Sequence, residues 1–135
     1  MPAAIMGGTG VYNLPDVEVE AREMVNDYGT AQVFMGKSAH EDIVFLTRHG
    51  RDHSTPPHKV NYRANIQALK DLGVRRIMST YAVGSITADY PVLDLAVIRD
   101  FLDFTHGRAF SFFEDLERAV GHVEMSKPFC PVMSN

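Results

Sequence analysis

Three segments of this sequence pass from an apolar run into residues able to hold an anion. Residues 3–6 break into Gly7-Gly8-Thr9-Gly10, residues 43–47 are followed by Arg48-His49-Gly50, and residues 77–80 give way to a turn over 81–85 that contains Tyr81, Ala82 and Gly84. A glycine loop exposes backbone N–H groups, and Thr9 adds a hydroxyl, which together suit an oxyanion. Arg48 strengthens that reading, because a guanidinium can pair two phosphate oxygens in its plane and a lysine cannot. His49 can add a further hydrogen bond. Each residue also has a plain structural alternative. The glycines can simply shape a turn, Arg48 can pair with a carboxylate, and His49 can satisfy a backbone carbonyl.

Other chemistries fit less well. No Lys-Ser or Lys-Thr follows the glycines, so the loop is not of the Walker type, and it lacks the third glycine of a dinucleotide fingerprint. His49, His53 and His58 cluster in sequence, but Gly50 and Pro56-Pro57 forbid the helix that would set the first two on one face as metal ligands. No metal is expected. Cys130 lies between Phe129 and Pro131 with only Lys127 as a basic neighbour, and reads as a buried, inert thiol.

These turns need a scaffold. Residues 3–6 and 43–47 read as buried strands, and the polar, weakly alternating stretch from 17 to 37, punctuated by Gly29 and Gly36, reads as peripheral strands or a hairpin. Asn61 can cap a helix that runs to about Leu72, with Tyr62, Ile66, Leu69 and Leu72 near one face and Gly73 as its stop. Residues 77–80 and 94–98 read as two more strands. Strand, helix and strand in that order argue for an α/β domain with a parallel segment in its sheet. In such a sheet, ligands bind at the carboxyl ends of the strands, where the three turns lie.

At 135 residues, 45% of them hydrophobic, the chain suffices for one domain with a true core. Its formal net charge of -4 and the absence of any Lys/Arg stripe argue against nucleic acid as a partner. The start of the sequence has neither the basic region of a signal peptide nor the length of a membrane span, and a single cysteine suits a reducing compartment, so the expected location is cytoplasmic.

Taken together, IMGGTGVYNLP, FLTRHGRDHSTPPHKVNYRANIQALKDLGV, STYAVGSI, FLDFTHGRAFSFF and HVEMSKPFCP resemble the methylthioadenosine phosphorylase branch of the purine nucleoside phosphorylases. The resemblance implies a mixed central sheet with flanking helices, incomplete at its C-terminal side, with residues 1–135 forming the N-terminal part of a single nucleoside phosphorylase domain. It also implies phosphorolysis of a purine nucleoside, with 5'-methylthioadenosine ahead of guanosine, inosine or methylthioinosine, and with inorganic phosphate as co-substrate and no cofactor. Thr9, Arg48 and His49 then bind phosphate and Ala82 lines the nucleoside site. His122 matches a family histidine that reaches into a neighbouring subunit's site, which implies a homotrimer.

The sequence departs from the family in places. Tyr81 stands where relatives carry a small hydroxyl residue that touches phosphate, the family's Gly-Asp turn appears as Leu93-Asp94, and its Asp-Gln appears as Arg99-Asp100. The family's methionine beside the ribose and its aspartate at the purine have no counterpart among these residues. The 135 residues alone are therefore expected to be inactive, and a non-catalytic remnant that oligomerises or binds anions is the rival reading.

Overall fold

A computed structural model describes residues 1–114 and 121–134. Two units separate, Met1–Ala82 and Val83–Asn135. The first contains every helix and strand among the described residues: β1 (Ala3–Gly7), β2 (Val19–Asn26), β3 (Gly29–Gly36), β4 (Ile43–Thr47), α1 (Tyr62–Asp71) and β5 (Arg76–Ser79), with short 3-10 turns at Ser38–His40 and Pro57–Lys59. No helix is long and apolar enough to cross a membrane among the described residues.

The sheet order is β2-β3-β4-β1-β5. β1 lies between β4 and β5 and is parallel to both, which explains why residues 3–7 and 43–47 are near-continuous apolar runs rather than alternating ones. β3 runs antiparallel to β4 and β2 antiparallel to β3, so the sheet is mixed. β2, at one edge, is largely exposed, which dilutes its alternation. The connection from β4 through α1 to β5 carries the chain across β1.

Helix α1 starts and stops as its sequence dictates. The Asn61 side-chain oxygen accepts from the Ala64 N–H at 3.0 Å, capping the first turn. At the other end Gly73 adopts φ +74°, its N–H donates to the Lys70 carbonyl at 2.9 Å, and the Val74 N–H donates to Leu69 at 3.0 Å. That is the paired closure of a Schellman motif, which needs a residue without Cβ strain at its left-handed position. The buried residues of the helix are Ala64, Ala68 and Leu69. Ile66 and Leu72 are only partly buried and Tyr62 is exposed, so the alanines, and not the larger residues alone, form the docking face. Small side chains let the helix approach the hairpin closely. Asn26 donates to the Ala64 carbonyl at 3.0 Å and Asn61 donates to the Tyr28 carbonyl at 2.7 Å, which ties the hairpin tip to the helix. The core beneath α1 comprises Ala4, Met6, Ala31, Val33, Val44 and Leu46.

The second unit corrects the expected strand at 94–98. Those residues form no strand, and the described part of this unit consists of turns, bends and irregular chain. Cys130 is exposed, not buried as its apolar neighbours suggested, and its carbonyl accepts the Met133 and Ser134 N–H groups. The turn ending in Asp94 N–H→Pro91 carbonyl, 3.1 Å, places Leu93 at φ +76°. This third position of a turn with positive φ suits glycine, the residue the family resemblance leads one to expect there. Leu93 is 97% exposed and gains no packing in return. Leu93→Gly is expected to slow hydrogen exchange of the Asp94 amide by about fivefold, because strain of about 1 kcal/mol is relieved. Unchanged or faster exchange would show that the turn carries no such strain.

Candidate anion site

The parallel register places three strand ends side by side. Gly7 pairs with Thr47 on one flank, and Met6 pairs with Ser79 on the other. The next residues, Gly8, Arg48 and Thr80, therefore emerge together at the carboxyl edge of the sheet. Backbone bonds fix the three exits: the Arg48 N–H donates to the Gly7 carbonyl at 3.1 Å and the Thr80 N–H donates to the Met6 carbonyl at 3.1 Å.

Thr80, which the sequence alone did not single out as a site residue, joins the other two. Its hydroxyl accepts the Gly8 N–H at 3.2 Å, and its carbonyl accepts from Arg48 Nη2 at 2.9 Å. A Cβ on Gly8 would lie 2.2 Å from Nη2 and 2.5 Å from the Thr80 carbonyl oxygen, so only glycine lets the loop meet the guanidinium. One expectation about the loop is corrected here. Its N–H groups are not all available, because that of Gly8 is already taken by Thr80. Thr9 and Gly10 remain exposed, with Gly10 at φ +88°.

Arg48 makes no ion pair among the described residues. Its Nη2 is engaged by a neutral carbonyl, and its Nη1 is buried with no hydrogen-bond partner among them. The Tyr81 ring lies on the guanidinium, with the ring centroid 4.4 Å from the central carbon. Leaving a buried donor unpaired costs about 1–3 kcal/mol, and more when it is charged, so the arrangement favours a ligand that brings an acceptor.

His49 follows directly. Its Nδ1 lies 3.0 Å from the Thr55 carbonyl, which can only accept, so Nδ1 carries the proton. In the neutral ring Nε2 is then an acceptor for a protonated oxyanion, and in the imidazolium it is a donor to an ionised one. His53 stacks on His49 with centroids 5.2 Å apart, and its Nδ1 meets the Tyr12 hydroxyl. Two of the clustered histidines thus come together as stacked rings. His58 lies within the Pro57–Lys59 turn. Tyr12 and Thr55 carried no signal in the sequence, since both are placed by loop geometry.

Two candidates remain. Ala82, immediately after Tyr81, is exposed. His122 is exposed within the second unit.

The comparisons with known proteins agree with one another. Residues 2–135 match the model of the phosphorylase superfamily. The chain is 46% identical over 135 residues to a protein of Thermococcus kodakarensis named probable 6-oxopurine nucleoside phosphorylase, covering 95% of this chain and 50% of that one. It is 45% identical over 130 residues to the S-methyl-5'-thioadenosine phosphorylase of Saccharolobus solfataricus, covering 93% and 47%. Its structure is similar to that of methylthioadenosine phosphorylase from Schistosoma mansoni in complex with tubercidin, with a TM-score of 0.87, 35% identity, and coverage of 96% of this chain and 47% of that one. The chain thus spans about half the length of the curated relatives it matches.

Proposed function

The chain belongs to the phosphorylase superfamily, and we propose that it supplies the phosphate-binding part of an enzyme that cleaves purine nucleosides with inorganic phosphate. One observation carries this reading. Arg48 stands at the end of three parallel strands, fitted against Gly8 and Thr80, with a buried donor that no protein group satisfies among the described residues.

In phosphorolysis a phosphate oxygen bonds to the anomeric carbon while the bond to the purine nitrogen breaks, and the base leaves with that electron pair and takes up a proton. Positive charge develops on the sugar between the two events. A phosphate held in place both delivers the nucleophile and stabilises that charge, so groups that fix its oxygens act through positioning and electrostatics. In this chain Arg48, the Thr9 hydroxyl and His49 Nε2 are the groups proposed to do so. Ala82 is proposed to line the nucleoside's side of the pocket, and His122 to reach into the nucleoside site of a neighbouring subunit.

The first substrate proposed is 5'-methylthioadenosine. A 6-oxopurine nucleoside such as inosine is the second, because relatives named for each activity are equally similar to this chain. The 135 residues alone are proposed to bind phosphate without releasing base, since they include no counterpart of the family's purine-binding aspartate or ribose-binding methionine. Proton donation to a leaving group supplies about two to four orders of magnitude, and sugar alignment supplies more.

Phosphate titrated into the chain by calorimetry tests this function, with base release from methylthioadenosine and inosine followed in parallel. Phosphate is expected to bind weakly, Arg48→Ala to lower the affinity at least tenfold, and neither nucleoside to be cleaved. Equal affinity in wild type and Arg48→Ala would remove the site, and phosphate-dependent base release by these residues alone would overturn the inactivity.

A further inference from the structure

We propose that Tyr81 sets the anion affinity of this site by competing with the anion for Arg48, so that its ring is a displaceable aromatic cover on the guanidinium. This rests on the anion-site reading above and extends it to a residue that touches the arginine, not the anion.

The sequence makes Tyr81 conspicuous, because it follows Thr80 directly at the edge of the sheet, where the resemblance leads one to expect a small hydroxyl. The structure gives the larger side chain a different task. Its ring covers one face of the guanidinium at 4.4 Å, well within cation–π range. An oxyanion pairs with a guanidinium in its plane and not on its face. At Nη1, however, the in-plane approach is itself shut off from solvent, and at Nη2 the Thr80 carbonyl occupies one direction. An anion can therefore gain Nη1 only if a neighbour moves.

Among the groups shown against the guanidinium, Tyr81 is the least fixed. Gly8 is held by its bond to the Thr80 hydroxyl, and Thr80 by its backbone bond to Met6. Tyr81 lies beyond the last residue of β5, is 50% exposed, and its hydroxyl has no hydrogen bond among the described residues. The cation–π contact holds the ring over Arg48, and in this proposal a phosphate that reaches the buried Nη1 shifts the ring off the face and exchanges that contact for a charge-assisted pair. Phosphate affinity thus carries the cost of losing that contact. The hydroxyl contributes nothing to the effect, which separates this role from an ordinary hydrogen bond to the anion.

The test compares wild type, Tyr81→Phe, Tyr81→Leu and Tyr81→Thr by phosphate titration, with NMR of the Arg48 side chain as a second readout. Tyr81→Phe is expected to keep wild-type affinity because the ring is retained. Tyr81→Leu is expected to bind phosphate about threefold more tightly, and Tyr81→Thr about three- to tenfold, the range that corresponds to an exposed to half-buried cation–π contact. The ring-current shift of the Arg48 δ-protons should be present in wild type and Tyr81→Phe, absent in Tyr81→Leu, and lost from wild type on saturation with phosphate. A merely structural tyrosine would not produce that last change. Binding that Tyr81→Leu and Tyr81→Thr leave unchanged or weaken overturns this proposal alone. Failure of every variant to bind phosphate overturns the anion site, and this proposal with it.

Discussion

Gly8→Ala is expected to reduce phosphate affinity as far as Arg48→Ala does, although it removes no group that touches the anion. The added Cβ would lie 2.2 Å from Arg48 Nη2 and 2.5 Å from the Thr80 carbonyl oxygen. The carbonyl cannot yield easily, because the Thr80 backbone is tied to Met6 in the parallel pair of β1 and β5. Arg48 must yield instead, and its bond to the Thr80 carbonyl is lost along with its position. Backbone conformation is not the obstacle, since Gly8 is not among the positive-φ residues. Overpacking of this kind typically costs about 1–3 kcal/mol of stability, so the fold should survive and the loss of binding should be read on folded protein. The same phosphate calorimetry, applied to Gly8→Ala and to the Gly8→Ala/Arg48→Ala double variant, gives the decision. The double variant should bind no more weakly than either single one, because both act on one guanidinium. Gly10→Ala serves as the contrast: nothing lies within 4 Å of its Cβ, and only its φ of +88° is unfavourable, so its effect should fall on loop stability and not on Arg48. Phosphate affinity of Gly8→Ala within twofold of wild type would refute the close fit of glycine and arginine.

The sequence revealed those parts of the molecule whose structure is decided locally. Asn61 and Gly73 bracket the helix because one side chain and one backbone conformation settle each end, and both ends stand where their residue types put them. The runs at 3–6 and 43–47 were legible for a different reason: β1 is paired in parallel on both sides, β4 is paired with β1 in parallel and with β3 antiparallel, and strands so enclosed need no polar face. Residues 94–98 have the same local look and form no strand. A strand exists only where a neighbour satisfies its backbone, and no local pattern reveals whether a neighbour is there. The site divides along the same line. Arg48 and His49 were legible from residue type at a strand end. Thr80 and the stacking of Tyr81 on Arg48 were not, because both depend on how β4 and β5 register against β1, which brings together residues far apart in the chain. The use of the Gly8 N–H by Thr80 was hidden for that reason too, and it narrows the cradle to fewer donors than the glycine loop alone suggested.

Leu46→Ala is expected to be the most damaging single truncation among these residues, and to weaken the site from a distance. Leu46 is 0% exposed on β4, pairs with Met6 of β1, and belongs to the cluster with Val44, Ala64, Ala68 and Leu69 that joins sheet to helix. Truncating such a leucine loses its transfer energy and leaves a cavity, a cost of about 2–5 kcal/mol, against a total stability of about 5–15 kcal/mol for a domain. Collapse around the cavity is restricted, because β4 is held by its pairing to β1 on one side and to β3 on the other. Two residues on, just past the end of that strand, stands Arg48, whose backbone N–H donates to the Gly7 carbonyl. Loosening β4 against β1 therefore loosens the distance between the arginine and the glycine loop. The urea midpoint followed by far-ultraviolet circular dichroism, with Val25→Ala as reference, measures the first effect; Val25 is 75% exposed on the edge strand and should cost no more than about 0.5 kcal/mol. Phosphate affinity at low urea measures the second, and should fall in Leu46→Ala while Val25→Ala leaves it unchanged. Equal midpoints for the two variants would mean that the β1–β4 layer is not the core on which the site stands, whereas a lowered midpoint with full phosphate affinity would separate the stability of that layer from the placement of Arg48.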